Sequence, residues 1–300
     1  MSDIRFDNQV AIITGAGQGL GRTHALGLAS RGAKVIVNDM NADNAQAVSK
    51  EIEDAGGLAI ANSANVAEID QVQAMVQSAM DAWGRVDILV NNAGILRDKS
   101  FAKMDMADFE LVVKVHLLGS ALCAKAVWDI MRDQGYGRIV MTTSSSGMYG
   151  NFGQANYGAA KCGVTGLMNT LCLEGERSGI KVNTLSPTAF TQMTDGLLPQ
   201  EMLDLMTPES VTAGLLTLCD KDAPNRTILC AGAGAYARTV IHETDGVYLK
   251  PEDQTPEAIR AQMDSISDLN GMEMLTNGWG QTGKFVKKAA DNLGIDLPKG

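Results

Sequence analysis

Residues 10–39 read VAIITGAGQGLGRTHALGLASRGAKVIVND. Val10–Thr14 is a short, wholly apolar run ending in Thr, which predicts a buried strand. A glycine-rich turn, TGAGQGLG at 14–21, follows at once, and Leu20–Ser30 has the length and spacing of a helix. Lys34–Asn38 (KVIVN) is a second apolar strand, and Asp39 stands at its end. Gly15, Gly19 and Gly21 let the backbone turn sharply and approach a diphosphate, and the helix opening near Gln18 and Leu20 offers unpaired N–H groups to the anion. An acid about 20 residues past the turn is placed to accept hydrogen bonds from a ribose. No Arg or Lys occupies position 38 or 40, so Asp39 would repel a 2′-phosphate, and NAD is expected in preference to NADP.

The alternation continues outward. Strands are expected at Leu58–Ala61, Val86–Val90, Arg138–Thr143, Lys181–Leu185 and Thr227–Cys230. Helices are expected at Ala42–Ala55, Ile69–Trp83, Met106–Arg132 and Ala155–Glu176. Continuous apolar strands separated by helices imply an α/β fold, a Rossmann-like doubly wound parallel sheet with helices on both faces. Residues 1–235 form the expected nucleotide-binding domain, and 236–300, more polar and helical in pattern, a C-terminal extension packed on it.

Composition narrows the function. The 300 residues are 45% hydrophobic, enough for a substantial core, and 25 basic against 35 acidic residues give a net charge of −10. That balance argues against a nucleic-acid or anionic-membrane partner. No apolar run approaches the ~18 residues of a membrane span, and MSDIRFDN lacks the pattern of a signal peptide. The five cysteines include no CxxC pair and the three histidines are dispersed, so no metal site and no disulfide framework is expected. A cytoplasmic setting is the expectation.

Tyr157 and Lys161 in YGAAK lie at i and i+4, on one helix face. An ammonium there would stabilise phenolate and pull the tyrosine down from its ordinary value of about 10. Such a tyrosine can take the proton of an alcohol. Ser144 follows the fifth strand, where its hydroxyl can hold the reacting oxygen beside Tyr157.

In this order, TGAGQGLG, Asp39, NNAG (91–94), Ser144, YGAAK and NTLSP (183–187) resemble the short-chain dehydrogenase/reductase family. The resemblance implies that Tyr157 is the acid/base, Ser144 orients the substrate, and Lys161 binds the nicotinamide ribose. It implies further cofactor contacts at Asn65, Val66, Asn92, Ala93, Gly94, Pro187, Ala189 and Thr191. NNAGILRDKSF (91–101), KVHLLGS (114–120), YGNFGQANYGAAK (149–161) and TPEAIRA (255–261) look like the (3R)-hydroxyacyl-CoA dehydrogenase branch of that family. By that resemblance the substrate is an acyl-CoA thioester, with a hydroxysteroid or another bulky alcohol as the alternative and a non-catalytic nucleotide-binding scaffold as the remote one. Residues 188–207 would form a substrate lid, and the chain would be a homodimer or homotetramer through the small-residue helix 155–176.

Arg97, Lys99 and Lys103 could meet the phosphates of CoA, and Met104, Met106, Met148, Met193, Met202 and Met206 could flank an acyl chain or sterol. Three positions depart from the family pattern. His116 stands where an Asn usually orders a proton-relay water, Asn65-Val66 replaces Asp-Val, and Pro187-Thr188 replaces Pro-Gly.

Overall fold

The computed structural model describes residues 3–189 and 199–298. They fall into two compact units, 1–238 and 239–300.

In the first unit, β1 (Val10–Thr14), α1 (Gly19–Ala29), β2 (Lys34–Asn38), α2 (Ala42–Asp54), β3 (Leu58–Asn62), α3 (Ile69–Trp83) and β4 (Ile88–Asn91) alternate. Then come α4 (Met106–Val113), α5 (Gly119–Gln134), β5 (Gly137–Thr142), α6 (Ser145–Tyr149), α7 (Ala155–Gly175) and β6 (Ile180–Thr188). The unit closes with α8 (Gln200–Leu205), α9 (Pro208–Cys219), β7 (Ile228–Gly232) and β8 (Ala235–Thr239). The eight strands form one sheet in the order β3-β2-β1-β4-β5-β6-β7-β8. From β1 to β7 every pairing is parallel. Ala233 and Gly234 between β7 and β8 both have positive φ, 50° and 75°, the signature of a two-residue hairpin turn, so β8 runs back on β7. Chain order reverses between β1 and β4, which opens a crevice at the carboxyl ends of those two strands.

Successive strand side chains face opposite layers. Ala11 and Ile13 of β1 join Val35, Val37, Val90 and Val140 in a core with Ala25, Leu28, Val48 and Leu215 of α1, α2 and α9. Val10 and Ile12 join Leu89, Ile139 and Met141 in a second core with Met75, Val127, Met131, Val164 and Met168 of α3, α5 and α7. The doubly wound sheet expected from the sequence is therefore present.

Two expectations need correction. The long helix at 106–132 is not one regular helix: Lys114–Leu118 between α4 and α5 forms a π-helical turn. The stretch 106–134 is also long and apolar enough to cross a membrane by length and composition, contrary to the sequence reading. Cys123, Val127 and Met131 on it are buried in the second core, which accounts for its apolar character. Of the small residues on α7, Ala160 and Gly163 pack within the chain, while Ala159 and Gly166 are exposed. Ala160 is buried, and a Cβ on Gly163 would lie 2.9 Å from Leu117 Cδ2.

The edge of the sheet opposite the crevice is held by Arg138. Its guanidinium is buried and lies 4.1 Å from the Tyr136 ring centroid. Nε donates to Asp220 O at 2.9 Å, Nη1 to Gly137 O at 2.7 Å and Gly179 O at 3.0 Å, and Nη2 to Lys221 O at 2.7 Å. A flat fork of donors suits carbonyls from separate turns, including the chain just past the C-terminus of α9, in a way an ammonium cannot. Arg138→Met is expected to destabilise the fold by about 3 kcal/mol or more, because each orphaned buried carbonyl costs about 1–3 kcal/mol. Arg138→Lys should restore less than half of that. Urea unfolding of the three proteins measures it; equal midpoints would show that the carbonyls find water instead.

In the second unit, α10 (Pro256–Ala261), α11 (Met263–Ile266) and α12 (Gly278–Leu293) surround an antiparallel bridge between Glu243 and Glu273. Asn277 caps α12, accepting from Gly280 N. Lys284 pairs with Glu243 at 3.0 Å and Lys288 with Asp245 at 2.7 Å. Val247, Leu249, Ile259, Ile266 and Phe285 line a cavity of about 530 Å³ within this unit.

Candidate active site

The glycine turn is shaped by contacts that leave no room for side chains. A Cβ on Gly21 would lie 2.0 Å from Gly15 O, and one on Gly17 would lie 2.8 Å from Asp39 Cγ. Gly17, which the sequence reading did not single out, donates its N–H to Asp39 Oδ2 at 3.0 Å, while Asn41 N donates to Oδ1 at 2.9 Å. Asp39 is thereby fixed over the turn, with lone pairs remaining on both oxygens.

NNAG is wired to the first strand. Thr14 Oγ1 accepts from Asn92 N at 3.0 Å and Ala93 N at 3.1 Å, and Asn92 Nδ2 donates to Thr14 O and Gly15 O at 3.1 and 2.9 Å. Asn92 thus braces the turn from behind. Asn65 Oδ1 accepts from Ala67 N at 3.0 Å, which fixes the loop after β3, and Val66 is buried with its side chain close to Gly119.

Ser144 caps α6, its hydroxyl accepting from Ser146 N, and it lies close enough to Tyr157 to act on the phenol. Burial pushes the Tyr157 phenol above its ordinary range; Ser144 opposes this and the charge of Asp98 adds to it. The expected lowering by Lys161 is therefore corrected. Lys161 Nζ lies 5.5 Å from the Tyr157 ring centroid and donates to Thr142 O at 2.6 Å. Burial brings the amine itself down to about 7.

His116 sits in the π-helical turn, its ring edge-on to Tyr157 with centroids 5.1 Å apart. Burial, with a lesser effect of Lys161, holds it down to about 3, so the ring is neutral. Nε2 lies 2.8 Å from Ile95 O and 3.0 Å from Ile95 N, so either tautomer bonds the Ile95 peptide through this nitrogen. Nδ1 is buried with no hydrogen-bond partner among the described residues. The ring packs where a side chain on Gly94 would be: a Cβ there would lie 2.2 Å from His116 Cε1.

The glycine turn, Asp39, His116, Tyr157 and Lys161 share one cavity of about 230 Å³, whose lining does not include Ser144, Asn65, Val66 or Ala93. At one end lie Gly15, Gln18, Gly19, Leu20, Gly21 and Asp39; at the other, His116, Tyr157, Lys161 and Pro187. Asn92, Gly94 and Thr142 also contribute to the wall. Ala189 is buried just beyond Pro187, and Thr191 lies outside the described residues, as do Met193 and the rest of 190–198 within the expected lid. The structure does not bring Arg97 into this cavity; its guanidinium is 3.6 Å from Asp108. Lys99 and Lys103 are exposed and make no ion pair among the described residues.

The fit to a dinucleotide is physical: a bare backbone cradle at a helix N-terminus, a carboxylate about 20 residues further along the chain, and a phenol and an amine at the far end.

A family model described as short chain dehydrogenase matches residues 9–201. Peroxisomal multifunctional enzyme type 2 of Mus musculus is 43% identical over 281 residues, 90% of this chain and 38% of that protein. The structure of full-length peroxisomal multifunctional enzyme type 2 from Drosophila melanogaster superposes with a TM-score of 0.83 and 35% identity, over 97% of this chain and 51% of that one. A 7α-hydroxysteroid dehydrogenase complexed with NADH and 7-oxo glycochenodeoxycholic acid superposes with a TM-score of 0.73 and 29% identity, over 78% of this chain and 98% of that one. The chain thus spans only about two fifths of the mouse relative and half of the fly one.

Proposed function

This chain belongs to the short-chain dehydrogenase family and acts on a hydroxyl group with a nicotinamide cofactor; we propose that the cofactor is NAD and that the substrate pair is a (3R)-hydroxyacyl-CoA thioester and its 3-keto counterpart. The observation that carries the reading is the single cavity joining the glycine turn and Asp39 to Tyr157 and Lys161. NAD is favoured over NADP because Asp39 faces the turn and Arg22, the basic side chain on the first turn of α1, is paired with Glu51 at 2.5 Å. When bound, the nicotinamide takes or gives the hydride.

The chain's own residues handle the oxygen and the proton. Tyr157 Oη takes the alcohol proton in oxidation and returns it in reduction. Ser144 Oγ holds the reacting oxygen beside the phenol and donates to the charge that develops on it. Lys161, with a pKa of about 7, exchanges a proton near neutrality. Neutral His116 fixes the peptide after NNAG.

The thioester reading draws on the multifunctional relatives and on Lys99 and Lys103, whose exposed ammoniums suit phosphate. Met106 and Met202 are half exposed and suit an acyl chain. A homodimer belongs to the same proposal, since exposed Leu111 and Leu118 leave an apolar surface on the α4–α5 stretch. A hydroxysteroid is the second reading, favoured by the likeness to the 7α-hydroxysteroid dehydrogenase.

Initial rates of NAD and NADP reduction with (3R)- and (3S)-hydroxyacyl-CoA and with hydroxysteroids test the proposal. The expected result is a preference for NAD and for the (3R) thioester of about tenfold or more in kcat/KM, some 1.4 kcal/mol each. Inert thioesters with an oxidised steroid would establish the second reading. Preference for NADP would overturn the role of Asp39.

A further inference from the structure

The stretch 150–157, GNFGQANY, ends in the acid/base tyrosine, and the mechanism above uses nothing else in it. Gln154 occupies the N-cap position of α7 yet makes no side-chain capping bond. Ser, Thr, Asp and Asn are the residues that serve caps well, so helix chemistry does not account for an amide of this length here. Its bonds run elsewhere. Nε2 donates to Asp98 Oδ2 at 2.6 Å, and Oε1 accepts from Ser146 Oγ at 2.7 Å and from Asn151 Nδ2 at 3.2 Å.

One side chain therefore ties three segments: the loop after β4, helix α6 and the start of α7. Ser146 N in turn donates to Ser144 Oγ at 3.2 Å, so the network reaches the substrate-orienting hydroxyl in one more bond. Beside it, Asn156 is fully buried; Nδ2 donates to Arg97 O at 3.0 Å and Oδ1 accepts from Tyr157 N at 2.7 Å. Lys99 N donates to Gly153 O at 2.9 Å and closes the seam.

We propose that Gln154 is a positioning residue: its amide bridges Asp98 to Ser146 and so fixes Tyr157 and Ser144 against the loop 97–99 at the ligand-binding edge of the sheet. The inference rests on the reading of Tyr157 as the proton-transferring group. Among the described residues, the charged and titratable groups around that phenol are Asp98 from the β4 loop, Lys161 from α7 and neutral His116 from the π-helical turn; Arg97 is engaged by Asp108. Gln154 is the donor that holds the Asp98 carboxylate.

Reversing the polarity of one bond tests this. Gln154→Glu sets a second carboxylate against Asp98 at a contact that is now 2.6 Å, while still accepting from Ser146. It is expected to lower kcat about tenfold or more, since small misplacements of reacting groups cost up to ~10²-fold. Its pH–rate profile for oxidation should move to higher pH, because added negative charge disfavours phenolate. The double variant Asp98→Asn/Gln154→Glu restores a donor and an acceptor with their roles exchanged. It should return kcat to within about threefold of wild type and the pH limb toward its original place, as a re-formed charge-assisted bond allows. NAD affinity, read by fluorescence titration, should stay the same in all of them.

Wild-type kcat in Gln154→Glu overturns the proposal. So does a double variant that binds NAD normally but is no faster than the single one. Gln154→Leu, which can bond neither partner, is measured the same way if the charged variant does not fold. The two readings fail separately: full activity in Tyr157→Phe would remove the acid/base assignment, whereas the exchange of polarity reports on Gln154 alone.

Discussion

Tyr157→Phe lowers kcat for the alcohol substrate by about 10²–10⁴-fold, the usual worth of a positioned acid/base. The Kd for NAD stays within about twofold, because the variant removes no contact at the cofactor end of the cavity. There, binding relies on the glycine turn and on Asp39, which is held by Gly17 N and Asn41 N. The ring of residue 157 packs edge-on against His116, and phenylalanine keeps that contact. What disappears is the hydroxyl beside Ser144 and the proton it carries. Stopped-flow turnover with NAD titration checks both halves. Turnover within tenfold of wild type would assign the proton transfer to another group.

The wild-type pH dependence has a definite sign. Burial holds the phenol above its ordinary range. Oxidation needs the phenolate, so its rate should climb with pH well past neutrality. Reduction needs the phenol and should hold steady over the same range, then fall.

Much of this site was legible because its signals are local. Val10–Thr14, Lys34–Asn38 and Ile69–Trp83 have in the structure the boundaries their apolar patterns predict. A strand followed by glycines and a helix constrains the backbone over a few residues, and Tyr157 and Lys161 share a face by helical spacing alone. What escaped reading depends on distant partners. The slip to a π-helical turn at Lys114–Leu118 leaves the hydrophobic periodicity intact, so no pattern announces it. The Arg97–Asp108 pair depends on how the loop after β4 folds back toward α4. Thr142, whose carbonyl accepts a hydrogen bond from Lys161 Nζ, contributes only backbone to that bond, and backbone has no sequence signature. Gln154 and Gly17 were visible as letters, but their partners Asp98 and Asp39 lie 56 and 22 residues away.

Lys161 shows how a functional group can oppose the stability of the fold that carries it. Its amine has a pKa of about 7 in the folded protein against 10.5 for an ordinary lysine. A folded value below the unfolded one means that the unfolded chain binds the extra proton between those two pH values, so stability rises with pH across that window. Below pH 7 the full penalty applies, on the order of 5 kcal/mol at ~1.4 kcal/mol for each pH step. Lys161→Met removes it, and an unbranched thioether follows the same path through the core. The variant also orphans Thr142 O, which now accepts at 2.6 Å; that costs about 1–3 kcal/mol. The net expectation at pH 6 is a gain of about 2 kcal/mol, or a Tm higher by roughly 4–8 °C. The gain should shrink from pH 7 upward and reverse by pH 10.5, where the folded amine is neutral, the unfolded one is half protonated, and the lost bond outweighs what is left of the penalty. Turnover should fall about 10²-fold or more, because Lys161 lines the reacting end of the cavity. Thermal unfolding of both proteins at a series of pH values decides it. A variant less stable than wild type at pH 6 would mean that the Thr142 bond outweighs the cost of burying the charge.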